Sequence, residues 1–311
     1  MLRILASDGI DKDAADGLRQ NGFEVAEQFY GPEELAEQVK RFDALVVRSK
    51  TKVRRPAIDA AASAGRLKLI VRGGVGMDNI DVDYARSKGI SVRNTPMASS
   101  ASVAEMAIGH MFALARHIHE ANVTMREGRW EKKSYEGVEL AGKTLGLIGF
   151  GRIGKEVASK ASALGMAVAY TNRSGPKPEN APYRYLPFDE LLQASDFISL
   201  HMPAADGPVI TAESLAKMKD GVFLINTARG GLIPDDVIIE ALESGKAAGV
   251  ALDVFPEEPP SNEAIWKHPK ISLTPHLGAS TIEAQRRIGE EISEIICAHF
   301  AADPVRELKH G

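Results

Sequence analysis

The segment KTLGLIGFGRIGKEVASKASALG occupies 143–165, near the middle of the chain. It joins a short apolar run (144–149) to three closely spaced glycines, Gly149, Gly151 and Gly154, and then to apolar residues at helical spacing. Few folds accommodate that order. The first glycine allows a tight turn, the second lets backbone come close to a phosphate, and the third lets the helix lie directly on the strand. The helix N-terminus then offers unpaired N–H groups and a positive dipole end to an anion. Such a unit opens a doubly wound domain, so the residues ahead of it need a sheet of their own.

The rest of the chain agrees. Apolar runs at 3–6, 44–48, 67–72, 90–94, 144–149, 167–172, 197–201, 221–227, 249–254 and 271–275 alternate with helical patterns such as 104–122 and 235–246. Continuous rather than alternating apolarity argues for parallel strands covered on both faces. The expectation is an α/β protein with two doubly wound parallel-sheet domains: 1–97 plus 282–311, and 98–281. A length of 311 residues suits two cores better than one.

Net charge is −4, which provides no basic field for nucleic acid. The start MLRILASDGI carries no signal-peptide pattern and no apolar run reaches membrane-spanning length, so a soluble, cytoplasmic protein is expected. The single cysteine, Cys297, falls in an amphipathic helical pattern and reads as a core thiol. No metal is assigned.

About 20 residues past the glycine loop, a dinucleotide-binding unit places an acid on the adenosine ribose. Here that position holds Asn172, followed by Arg173 and Ser174, with Lys177 close by. Asn keeps a hydrogen-bonding group without repelling a 2′-phosphate, and Arg173 and Ser174 could bind one. This leans towards NADP over NAD. Further on, three strand ends carry Arg229 (NTARGGLI), Glu257 and Glu258 (ALDVFPEEPP) and His276 (LTPHLGAS). Ligands of open α/β sheets bind at strand carboxyl ends. A cation to hold and polarise a 2-oxo acid, a histidine to exchange a proton and a carboxylate to orient it are together what hydride chemistry requires.

The order glycine loop, Arg, Glu, His resembles the D-isomer-specific 2-hydroxyacid dehydrogenase family over essentially the whole chain. The strings at 46–53, 71–96, 125–156 and 275–285 most resemble its D-3-phosphoglycerate dehydrogenase branch. The resemblance implies a Rossmann NAD(P)-binding domain inserted into a flavodoxin-like substrate domain. It implies catalytic roles for Arg229, Glu258 and His276, and a substrate carboxylate held at the turn Gly74, Val75 and Gly76. It implies cofactor contacts at Val75, Arg152, Ile153, Asn172, Thr227, Ala228, Asp253, His276, Gly278 and Ala279. Arg48 and Arg72, with the basic run Arg129, Lys132 and Lys133, would lie near a substrate phosphate.

Two departures stand out: Asn172 replaces the NAD-selecting Asp, and Met202 replaces a usual polar residue beside the cofactor. The chain also has no C-terminal regulatory extension, so feedback through one is not expected. The first reading of function is oxidation of D-3-phosphoglycerate or reduction of its 2-oxo partner. The alternatives are an NADPH-dependent glyoxylate/hydroxypyruvate reductase and, more remotely, a non-catalytic nucleotide-sensing corepressor. The apolar helix 104–122 implies a homodimer, or a tetramer built from it.

Overall fold

Apolar strands need protein on both sides, and the computed structural model, which describes residues 1–180 and 182–301, contains two parallel sheets that provide it. They belong to two units: Met1–Ser99 with the segment from Ala279 onward, and Ser100–Gly278. Residues 302–311 of the expected C-terminal tail lie outside the described residues.

In the first unit, β1 (Leu2–Ala6), β2 (Phe23–Glu27), β3 (Ala44–Val47), β4 (Leu69–Arg72) and β5 (Ser91–Asn94) form a sheet of order β2-β1-β3-β4-β5. That is the flavodoxin-like order. The connecting helices are α1 (Lys12–Gln20), α2 (Pro32–Gln38), α3 (Arg55–Ala64) and α4 (Val82–Ser87). Side chains alternate along each strand. Leu5, Leu45 and Ile70 pack with Leu35 and Ile58 on one face, while Ile4, Val46 and Val71 meet Leu18 on the other. The second face is completed by Ile288, Ile292 and Ile296 of the C-terminal helix Ile282–Ala301. Each such buried side chain is worth roughly 1.5–3 kcal/mol, so the end of the chain returns to the unit that begins it.

The second unit holds β6 (Thr144–Ile148), β7 (Ala167–Thr171), β8 (Arg184–Tyr185), β9 (Phe197–Leu200), β10 (Val222–Asn226), β11 (Ala247–Leu252) and β12 (Ile271–Leu273). Their order is β12-β11-β10-β9-β6-β7-β8. The chain runs outward from β6 to β8, returns to the other side at β9, and continues to β12. This is the Rossmann order with one strand added, and its reversal between β6 and β9 opens a crevice at the strand ends. Helices α5 (Ser100–Ala115), α6 (Ile118–Arg126), α7 (Arg152–Ala163), α8 (Phe188–Ala194), α9 (Ala212–Ala216) and α10 (Asp235–Glu243) belong to this unit. Ala107 and Met111 of α5 share one core cluster with Val157 and Ala158 of α7; Leu192, Leu215 and Ile238 pack in the other.

The expected single helix over 104–122 is corrected. It breaks at Arg116–His117, where His117 takes a left-handed conformation at φ 51°. The carbonyl of Ala115, which would accept from residue 119 in a continuous helix, instead accepts from the Val138 N–H at 2.8 Å.

Candidate active site

The glycine loop forms as its spacing predicts, and each glycine has a separate reason. Gly149 adopts φ 96°, and a Cβ there would strike the carbonyl of His201 on the neighbouring β9 end. A Cβ on Gly154 would press on the carbonyl of Gly149 at 2.5 Å. Gly151 faces open space, with nothing within 4 Å of an added Cβ. No side chain caps α7, so its leading N–H groups are left for a ligand anion.

This loop borders a cavity of about 860 Å³ that also takes in Arg152, Asn172, Arg173, Ser174, Lys177 and Met202. Among the described residues of the second unit, four buried polar atoms lack hydrogen-bond partners: Oγ of Ser100, Oδ1 of Asn180 and Nδ1 of His201, the last two on residues that line the cavity, and Oγ1 of Thr227, just beyond β10. Burial pushes the His201 imidazole down to about 4, leaving it neutral at ordinary pH. An uncapped helix end, an open glycine and these polar atoms fit a dinucleotide. Ile153 packs on the core and Gly154 is buried in it. Ala228 lies in the buried strand-end turn, its N–H bound to Asn226 at 3.1 Å.

The loops after β10, β11 and β12 carry Arg229, Glu258 and His276. Arg229 is anchored through its backbone by the Asn226 side-chain amide at 2.8 Å, and its guanidinium donates to the Ala228 carbonyl at 2.6 Å. His276 sits at φ 55°, and its Nδ1 lies 3.0 and 2.9 Å from the two Glu258 oxygens. A carboxylate can only accept, so Nδ1 carries the proton and Nε2 remains for another partner.

Burial acts to raise the Glu258 carboxyl, but the His276 hydrogen bond and charge, the Phe255 N–H and Arg229 together hold it below the usual 4.5. A carboxyl with a depressed folded value stabilises the fold above its unfolded pKa, and that contribution is lost as pH falls through the folded value. Thermal melts of the parent and Glu258→Gln should therefore differ most near neutrality and converge below about pH 4.5. A pH-independent gap would contradict the pairing.

Asp253, expected at the cofactor, is buried and accepts from Thr274 Oγ1 (2.6 Å), Leu277 N–H (2.7 Å) and Gly278 N–H (2.8 Å). It holds the turn that carries His276. The sequence reading missed this role, because the partners lie 21 to 25 residues downstream and two of the three are backbone groups.

Apart from the basic run at 129–133, the remaining expected residues lie in the first unit. Gly74 adopts φ 139°, with the Arg72 guanidinium folded over it. Its N–H donates to Thr95 Oγ1 at 2.6 Å, and the Val75 carbonyl accepts from Asn94 at 2.6 Å. Among the described residues, the N–H groups of Val75 and Gly76 have no partner. The same holds for the half-buried Arg48 guanidinium, whose pKa burial lowers against the opposing pull of Asp8. Ala279 also belongs to this unit. Arg129, by contrast, is bracketed by Glu127 and Glu131, with Lys132 and Lys133 exposed beside it. Among the described residues no group of His, Cys, Asp and Glu is placed to hold a metal, and no helix is long and apolar enough to cross a membrane.

Residues 108–278 match the D-isomer specific 2-hydroxyacid dehydrogenase NAD-binding domain. A hydroxypyruvate reductase of Thermotoga maritima is 47% identical over 300 residues, covering 94% of this chain and 97% of that protein. A D-3-phosphoglycerate dehydrogenase of Archaeoglobus fulgidus is 42% identical over 98% of this chain, which spans only 58% of its length. Among solved structures, a glyoxylate reductase from Paecilomyes thermophila superposes with a TM-score of 0.87 at 34% identity, covering 96% of this chain and 95% of that one. With two parallel α/β units, the glycine loop and the Arg–Glu–His loops in this order, the chain belongs to the D-isomer specific 2-hydroxyacid dehydrogenase family, oxidoreductases that act on the CH–OH group.

Proposed function

We propose that the protein interconverts a small anionic D-2-hydroxy acid and its 2-oxo acid, with Arg229, Glu258 and His276 as the catalytic residues. The observation that carries this reading is the His276–Glu258 pair beside Arg229, three loops at adjacent strand ends. A bound nicotinamide supplies or takes the hydride. In reduction the imidazolium form of His276 gives its Nε2 proton to the carbonyl oxygen and is left as the neutral Nδ1–H ring; in oxidation that neutral ring takes the hydroxyl proton on Nε2. Glu258 holds the ring in the tautomer that leaves Nε2 available. Arg229 binds carboxylate and carbonyl oxygen together.

The Arg48 guanidinium, which feels the Asp8 charge but donates no hydrogen bond among the described residues, supports a second anionic group on the substrate, and D-3-phosphoglycerate and its oxo partner are the first substrate pair. The engagement of Arg129 by two carboxylates removes one cation from a phosphate site, and the relatives include both a hydroxypyruvate reductase and D-3-phosphoglycerate dehydrogenases, so unphosphorylated hydroxypyruvate is kept as the second candidate. Assaying 3-phosphohydroxypyruvate, hydroxypyruvate and glyoxylate with NADH and NADPH side by side separates them. Absence of turnover on all three would leave the nucleotide-sensing alternative.

Asn172, Arg173 and Ser174 line the nucleotide cavity without a carboxylate among them, which supports NADP preference. Asn172→Asp with Arg173→Ala should move the kcat/KM ratio towards NADH by at least tenfold, since a charge-assisted contact of about 1.5–3 kcal/mol is lost and repulsion is added. An unchanged ratio would return the preference to NAD. For assembly, Phe112, Ile118, Val123, Met125 and Trp130 are exposed on and after α5 and α6, and Trp130 is 77% exposed. An apolar surface of this kind suits a two-fold interface. Light scattering at micromolar concentration should give twice the 33.5 kDa chain mass or more; a monomer overturns the proposal.

A further inference from the structure

We propose that His110, on α5 and far in sequence from the catalytic loops, is a positioning residue for His276 and acts through Thr274 and Asp253. The proposal rests on the acid–base reading of His276 given above. Proton accounting carries it. Thr274 has one hydroxyl proton, and Asp253 Oδ1, 2.6 Å away, can only accept it. The His110 Nε2 at 3.0 Å from the same hydroxyl oxygen must therefore be the donor. Nδ1, 3.0 Å from Ser272 Oγ, is left to accept the serine proton in a neutral ring.

His110 is 3% exposed, and burial lowers its pKa against Asp253, with His119 adding to the lowering. The neutral Nε2–H form satisfies every polar hydrogen of the group. The result is a chain of bonds with one direction, from Ser272 through His110 and Thr274 to Asp253.

The chain ends on the backbone beside the acid–base residue. Asp253 receives the N–H groups of Leu277 and Gly278, the two residues that follow His276. A second residue of α5, Ser102, donates to the Gly278 carbonyl at 2.7 Å. Left-handed backbone is uncommon for a residue other than glycine, so the turn at His276 depends on such outside anchors. By setting the orientation of Asp253, His110 fixes the aim of the His276 ring without touching it.

Histidine ¹⁵N NMR should show His110 with its proton on Nε2; an Nδ1–H form overturns the accounting. His110→Leu should lower kcat about tenfold, the effect of one buried hydrogen bond, with KM and cofactor affinity within about twofold. His110→Gln, whose amide can donate to Thr274 and accept from Ser272, should recover most of the loss. Where His110→Leu does not fold, Thr274→Val breaks the same chain and Thr274→Ser retains it. In the His276→Ala background, His110→Leu should add nothing to the defect. An equal further loss there, or parental kcat in the single variant, overturns the proposal. A fully active His276→Ala enzyme would instead refute the site reading itself, leaving the His110 tautomer unaffected.

Discussion

His276→Ala should lower kcat by about 10²–10⁴-fold, the usual contribution of a positioned proton donor. The structure narrows how the loss should be distributed. The imidazole is held by Glu258 and lies outside the lining of the large cavity beside the glycine loop, so cofactor affinity should stay near the parental value. The measurement is steady-state reduction of the preferred 2-oxo acid together with a direct cofactor titration. Near-parental kcat would transfer proton delivery to a water or another side chain. A collapse of cofactor binding would mean that the turn, rather than the imidazole, had been lost.

Arg229→Lys should reduce kcat/KM by about 10²–10³-fold, with KM rising as kcat falls. Lysine keeps the charge but loses the planar fork that can grip two oxygens at once, and one misplaced transition-state donor costs about 2.7–4 kcal/mol. The backbone carbonyl of residue 229 is held by Asn226 and does not depend on the side chain, while the guanidinium bond to the Ala228 carbonyl is lost. Melting temperature should therefore fall far less than the activity does. A lysine variant with parental KM would remove residue 229 from substrate binding.

Much of the fold could be read from residue order. Each of the ten apolar runs carries a strand, most of them because a strand buried on both faces is apolar at nearly every position; the edge strand β5 (SVRN) was found although its Arg93 is exposed. The two strands overlooked show the limit of that signal. β2, FEVAE, lies at a sheet edge where only one flank is paired, so it alternates with charge. β8 is two residues long. The break between α5 and α6 was hidden for another reason: the competing donor, Val138, lies over 20 residues away from the carbonyl it captures. Arg229, Glu258 and His276 were legible because strand ends are where charged groups emerge from an apolar sheet. Asp253 was not, since its chemistry is spent on backbone amides of a turn, and backbone amides leave no mark in a sequence.

The strand order of the second unit also separates what the enzyme recognises from what it does. The loops after β6, β7 and β9 line the large cavity proposed for the nucleotide, while those after β10, β11 and β12 carry the residues proposed for acid–base chemistry. β7 and β10 are three strand spacings apart, roughly 14 Å, beyond the range at which substitutions usually couple. On the proposed assignment, the residues that would choose the cofactor, 172–174, therefore sit apart from those proposed to move the proton. Rewriting 172–174 for a different redox pool should leave the reacting groups in register, one sheet serving as a common chassis for two separately tunable edges.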